Sequence, residues 1–117
     1  MKFFLFLLLT ALLNCHPESA QRVGPERTEK ALIFENNLAA DGCIEHIQLL
    51  SDSLHYRPTT GSLPILQKAL KGIPVDPNSL NRVVNIRFFN TSQQAILECG
   101  WGSKTEVGEL EVLEIIK

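Results

Sequence analysis

The feature that most constrains the fold is a pair of cysteines, Cys43 and Cys99. Each lies beside a short apolar run in which inward and outward positions alternate, as they do in β-strands. A bond between them would close a loop of about 56 residues, which is worth roughly 4 kcal/mol. The chain has no C-x-x-C motif, so a structural disulfide is favoured over a redox or metal-binding pair.

The start of the chain predicts export. Lys2 precedes an apolar run over 3–13 that only Thr10 interrupts, which is the pattern of a secretory signal peptide. The run is shorter than the roughly 20 apolar residues that a membrane-spanning helix needs. We therefore expect residues 1–14 to be a signal peptide, and the mature protein to lie where cysteines oxidise.

Cys15 is the expected site of lipidation. The preceding Leu12-Leu13-Asn14 resembles a bacterial lipobox, in which the cysteine becomes the lipidated first residue, although Asn14 replaces the usual small residue. The rival cleavage site follows Ala20. The chain has three cysteines, so either lipidation of Cys15 or its removal leaves an even pair in the folded part.

The composition predicts a tether followed by one domain. Residues 15–29 contain two prolines, one glycine and almost no large apolar side chain, so we expect a flexible, lipid-anchored tether. A single small domain would then occupy 30–117. The whole chain carries a net charge of −2 and lacks the basic surface of a nucleic-acid-binding domain.

Strand-like segments dominate the domain, and one helix interrupts them. Ser62 can cap a helix that has Pro64 in its first turn and ends at Gly72. This order predicts a mainly β fold, a small antiparallel OB-like β-barrel with one short helix and one disulfide. An open antiparallel α+β sheet with one helix is the alternative. The expected strands are 31–35, 43–50, 54–58, 81–90, 95–99 and 110–116.

Alternation within these segments predicts which side chains form the core. Ile47 and Leu49 would face inward and His46 outward, because neighbouring residues in a strand point to opposite faces. In the clearest strand, the inward-facing residues are Val84, Ile86 and Phe88.

Few residues carry recognisable chemistry. The chain has no G-x-S-x-G and no phosphate-binding glycine loop, so we expect neither an enzyme nor a cofactor. Cys43 and His46 are three apart and would point to opposite faces of a strand, so no metal site is expected. His55, Tyr56 and Trp101 could form a ligand patch at a barrel mouth. The alternative is that Trp101 fills one end of the core.

Several short motifs together resemble those of small bacterial envelope lipoproteins to which no activity is assigned. The resemblance covers about residues 41–116 and implies the fold and a Cys43–Cys99 disulfide, but no function. The insertion 59–62 before the helix departs from that pattern. The matching motifs are Asp41-Gly42-Cys43, Tyr56-Arg57-Pro58, Leu63-Pro64, Cys99-Gly100-Trp101-Gly102 and Val112-Leu113-Glu114-Ile115-Ile116.

Together, these features predict a monomeric lipoprotein of the bacterial cell envelope, in the outer membrane or the periplasm. Its expected role is non-enzymatic binding or structural support. We expect a lipid anchor to attach the protein to the membrane and an envelope protein to be its partner. A small-ligand or metal-binding periplasmic barrel is one alternative and predicts a pocket near the aromatic residues. A hydrolase is the other and predicts convergent titratable groups in a cleft.

Overall fold

The computed structural model describes residues 22–117. The expected signal peptide, Cys15 and the first part of the expected tether lie outside these residues. Within 22–117, no helix is long and apolar enough to cross a membrane. The strands are β1 (Arg22–Phe34), β2 (His46–Leu49), β3 (His55–Pro58), β4 (Arg82–Glu98) and β5 (Lys104–Ile116), and the helix is α1 (Leu63–Gly72).

The five strands form one mixed sheet that closes into a ring in the order β1-β2-β3-β5-β4. The open-sheet alternative is therefore wrong. The expectation of a purely antiparallel sheet is also wrong at one pair, because β3 and β5 run parallel, with Tyr56 opposite Gly108. The chain crosses over through α1 and β4 between these two strands, and such a crossover permits parallel pairing where a hairpin does not.

A single long strand, β4, replaces two of the expected strands. The turn expected at 90–92 is instead an irregularity within β4, where its pairing with β5 shifts register between Asn90 and Gln94. Thr91 stabilises this irregularity through two hydrogen bonds. Its hydroxyl donates to a Glu109 carboxylate oxygen at 2.9 Å and accepts the backbone N–H of Gln93 at 3.1 Å. The polar residues that suggested a turn therefore stabilise a β-bulge.

Strand β1 begins at Arg22, so the boundary expected between tether and domain at residue 30 is wrong. Residues 22–29 pair with β4, with an irregularity between Val23 and Arg27. Polar contacts hold this part of the sheet, including one from Arg87 to the Glu26 carboxylate at 2.7 Å. The composition suggested a tether because the segment has few apolar side chains to bury. Backbone pairing with β4 and charged pairs order it instead.

The core lies inside the ring and agrees with the predicted alternation. The expected helix is confirmed, and its Leu66 is fully buried against the core. Ser62 does not cap the helix with its side chain. Its hydroxyl instead accepts the backbone N–H of Val112 at 3.1 Å, which ties the helix to β5. The inward-facing residues that were predicted are all buried: Ile47, Leu49, Val84, Ile86 and Phe88.

Candidate functional site

The disulfide between Cys43 and Cys99 is confirmed, and it joins the loop after β1 to the loop after β4. Both cysteines are therefore committed to the bond and cannot serve as metal ligands or nucleophiles. We call the joined segments, 41–44 and 98–102, the clasp. Two backbone hydrogen bonds reinforce the clasp, one from Ile44 to the Glu98 carbonyl at 2.9 Å and one from Gly100 to the Gly42 carbonyl at 2.8 Å.

The clasp closes because a glycine lies where its two segments touch. A Cβ atom on Gly100 would lie 2.6 Å from the Cα of Asp41, a separation too short for two carbon atoms. The backbone cannot make this approach with any other residue at position 100. The clasp is therefore a tightly packed structure rather than two loose loops with a single crosslink.

Replacing Gly100 with alanine is expected to destabilise the protein by about 2 kcal/mol, because the new methyl group must displace the backbone of Asp41. Denaturation by urea would measure the loss. The matched control is Gly61→Ala, since a Cβ at Gly61 meets nothing within 4 Å. Equal stability of the two variants would contradict the close packing of the clasp.

Trp101 projects from the clasp into solvent. Its side chain is 93% exposed, so the alternative in which Trp101 fills one end of the core is wrong. Its backbone is left-handed, with φ 64° and ψ 19°, a conformation that costs a residue other than glycine about 1–2 kcal/mol. The clasp imposes this conformation, and the result is a large apolar side chain displayed on a rigid support.

A second feature is an aromatic cluster on the outer face of the ring, formed by Phe34, His46 and His55. Phe34 and His46 are register partners on β1 and β2, and their rings stack with centroids 4.6 Å apart and planes 13° apart. The rings of His46 and His55 are 5.1 Å apart. Sequence patterns could not reveal this cluster, because it depends on the register of three strands.

One ring nitrogen of His46 is engaged in a hydrogen bond to the backbone. Its Nδ1 lies 2.8 Å from the carbonyl oxygen of Ile44, which can only accept, so Nδ1 carries a proton and donates it. Burial lowers the pKa of His46, the bond to Ile44 opposes that effect, and the nearby charges of His55 and Arg57 lower the pKa further. The lowered pKa favours the neutral ring, in which Nε2 carries no proton.

The expected ligand residues do not form one patch. His55 is exposed on the outer face, whereas the neighbouring Tyr56 is buried and donates its hydroxyl to a carboxylate oxygen of Asp52 at 2.5 Å. His55 and Tyr56 line a surface cleft of about 500 Å³ together with Leu54 and Glu106, and Trp101 is not among the lining residues. The structure therefore separates Trp101 from the other two.

The buried hydroxyl of Tyr56 leads to a test by titration. Burial and the hydrogen bond to Asp52 raise the pKa of Tyr56 from 10.0 to about 12. The folded state favours the neutral phenol, so the Tyr56 hydroxyl contributes to the free energy of unfolding. This contribution is complete below pH 10 and is lost as the pH rises through about 12.

Tyr56 is the only tyrosine, so absorbance at the phenolate wavelength reports this group alone. We expect a midpoint near pH 12 in the folded protein and near 10 in denaturant. In the control variant Asp52→Asn the midpoint should fall, because the acceptor loses its charge. A midpoint near 10 in wild-type protein with native circular dichroism would contradict the buried bond.

Across residues 22–117, no group of three or more histidine, cysteine, aspartate or glutamate side chains is placed to hold a metal ion. A comparison with protein-family models, with curated proteins and with solved structures finds no match to this chain. The functional interpretation therefore depends on the clasp, the aromatic cluster and the cleft.

Proposed function

We propose that this protein is a non-enzymatic binding protein of the bacterial cell envelope, held to the membrane by a lipid on Cys15, and that it recognises a protein partner through Trp101. One observation carries the proposal: Trp101 is 93% exposed on a disulfide-bonded support. Tryptophan is among the residues that contribute most to protein–protein binding. Nothing in the core requires it at this position.

The rigidity of the clasp supports this role. A loose loop loses conformational entropy when it binds, whereas a loop whose backbone is already ordered loses less. The disulfide, the backbone hydrogen bonds and the close approach at Gly100 fix the loop before any partner arrives. Charged side chains of both signs lie nearby on exposed positions, Asp41 and Lys104, as in the polar rim of a protein interface.

The strand order also supports a binding module. A five-stranded closed sheet, with β3 parallel to β5 and a helix between β3 and β4, is the arrangement from which we infer an OB-like barrel. In that fold, the loops after the first and fourth strands take part in binding, there of oligonucleotides and oligosaccharides. The clasp consists of these two loops.

Site-specific photocrosslinking in the native envelope tests the recognition. A photoreactive residue at position 101 is expected to give one discrete protein adduct. The matched control is position 80, because Leu80 is also apolar, 76% exposed and left-handed, with φ 61°. An adduct with lipid alone, the same adducts from both positions or no adduct from position 101 would each contradict a protein partner at Trp101.

A separate experiment tests the anchor. Growth with a labelled fatty acid is expected to label the wild-type protein and not the Cys15→Ala variant. Equal labelling of the two would exclude lipidation at Cys15. The result does not depend on the crosslinking, so the proposed lipidation and the proposed partner are tested independently.

A further inference from the structure

The two histidines of the aromatic cluster lie beside each other on neighbouring strands. His46 lies on β2 and His55 on β3. The register partner of His55 is Gln48, which is also on β2. His46 and Gln48 share a face of β2, so His46 is the diagonal neighbour of His55 across the strand pair. The two rings converge to a centroid separation of 5.1 Å.

This separation suits a shared tetrahedral ion. With metal–nitrogen bonds of about 2.0–2.1 Å and a tetrahedral angle, the centres of two imidazole rings lie roughly 5 Å apart. The observed centroid separation of 5.1 Å agrees with this value.

The surroundings of His46 resemble those of a metal-binding histidine. A histidine that binds a metal ion through one ring nitrogen commonly donates the other N–H to a backbone carbonyl or a carboxylate. His46 donates Nδ1–H to the carbonyl of Ile44, which leaves Nε2 with a free lone pair. Phe34 stacks on the same ring and fixes its plane.

Two charged side chains, Arg57 and Glu45, lie beside this position. Arg57 lies across from His46 on β3, but its guanidinium is paired with the Glu45 carboxylate at 3.6 Å. The Glu45 carboxylate offsets part of the positive charge of Arg57 and is engaged there. The two histidines are therefore the protein ligands that the described residues offer, and the remaining coordination positions are open to water or to another molecule.

We propose that His46 and His55 together bind a divalent transition-metal ion of the zinc or copper class. Imidazole nitrogen is a preferred ligand of these ions, whereas calcium and magnesium prefer oxygen. With two protein ligands the site is open. It binds more weakly than a closed four-ligand site and leaves positions at which a third component can coordinate.

Titration calorimetry of the full chain in detergent, with Zn²⁺ at pH 7.5, tests the proposal. The chain has three histidines, so His16→Gln is the matched control and is expected to bind one equivalent as the wild type does. His46→Gln and His55→Gln are each expected to bind at least about tenfold more weakly. His55 is exposed, so its variant keeps the fold and is decisive even if the His46 variant is unstable.

Electron paramagnetic resonance of the Cu²⁺-loaded protein identifies the ligands directly. Nitrogen coordination is expected in the wild type and in His16→Gln, and its loss or change is expected in His55→Gln. Absence of stoichiometric binding, or a spectrum and affinity that change only in His16→Gln, would overturn the proposal. Neither result bears on Trp101 or on Cys15, so the proposed function stands or falls separately.

Discussion

Replacing both Cys43 and Cys99 with serine is expected to lower the free energy of unfolding by about 4 kcal/mol. The disulfide closes a loop with a sequence separation of 56 residues, and in the chain-entropy model a loop of that length is worth about this amount. A small domain has a total stability of only about 5–15 kcal/mol, so the change removes a large fraction of it. Urea unfolding of the oxidised wild type and of the double variant would measure the difference.

The control for this experiment is Cys15→Ser, which leaves the disulfide intact and should unfold with the wild-type midpoint. Reduction of the wild-type protein should reproduce the loss seen in the double variant. If the double variant were as stable as the wild type, the clasp would not stabilise the fold, and the rigidity attributed to Trp101 would lose its basis.

Phe88→Ala is expected to cost about 3–5 kcal/mol, the largest effect of any single substitution in the core. Phe88 is fully buried and is the largest of the completely buried side chains within residues 22–117. Its truncation removes apolar contacts and leaves a cavity that the closed ring cannot collapse to fill. The loss would appear as a lower midpoint in thermal and urea unfolding.

Phe89→Ala is the matched control, because Phe89 is the next residue on β4 and is partly exposed on the opposite face. Its truncation should cost clearly less than that of Phe88. Equal losses at the two positions would contradict the assignment of the inner and outer faces of β4.

Local patterns in the sequence predict the parts of this fold that local forces determine. Alternation identifies Ile47, Leu49 and Phe88 as core residues, because the period of a strand is set by its backbone geometry. The cysteine count predicts the disulfide, because an exported chain with one even pair tends to oxidise it. Pro64 and Gly72 mark the two ends of the helix in the same way, whereas the side chain of Ser62 does not make the predicted cap.

Features that depend on distant pairing were not predictable. The parallel register of β3 and β5 depends on how the ring closes, which no local pattern encodes. Residues 22–29 have a polar composition, yet they pair with β4 on both sides of an irregularity between Val23 and Arg27.

The candidate sites show the same division. The apolar character of Trp101 suggested that it could be buried. The loop instead packs against Asp41 through Gly100 and leaves Trp101 in solvent. The pairing of His46 with His55 required the register of β2 and β3. The sequence indicated which residues carry chemistry, whereas only the structure shows which of them meet.

The position of β5 has a consequence for how the molecule is made. This last strand pairs with both β3 and β4 and so closes the ring. Until it has been synthesised and has docked, its two neighbours each keep an unpaired edge, which is a template for aggregation. The contacts between β3 and β5 join residues far apart in sequence, such as Tyr56 and Gly108, and contacts of this kind form slowly. A chain that lacks β5 should therefore aggregate rather than fold into a smaller stable unit, and the ring should form only after β5 has been synthesised.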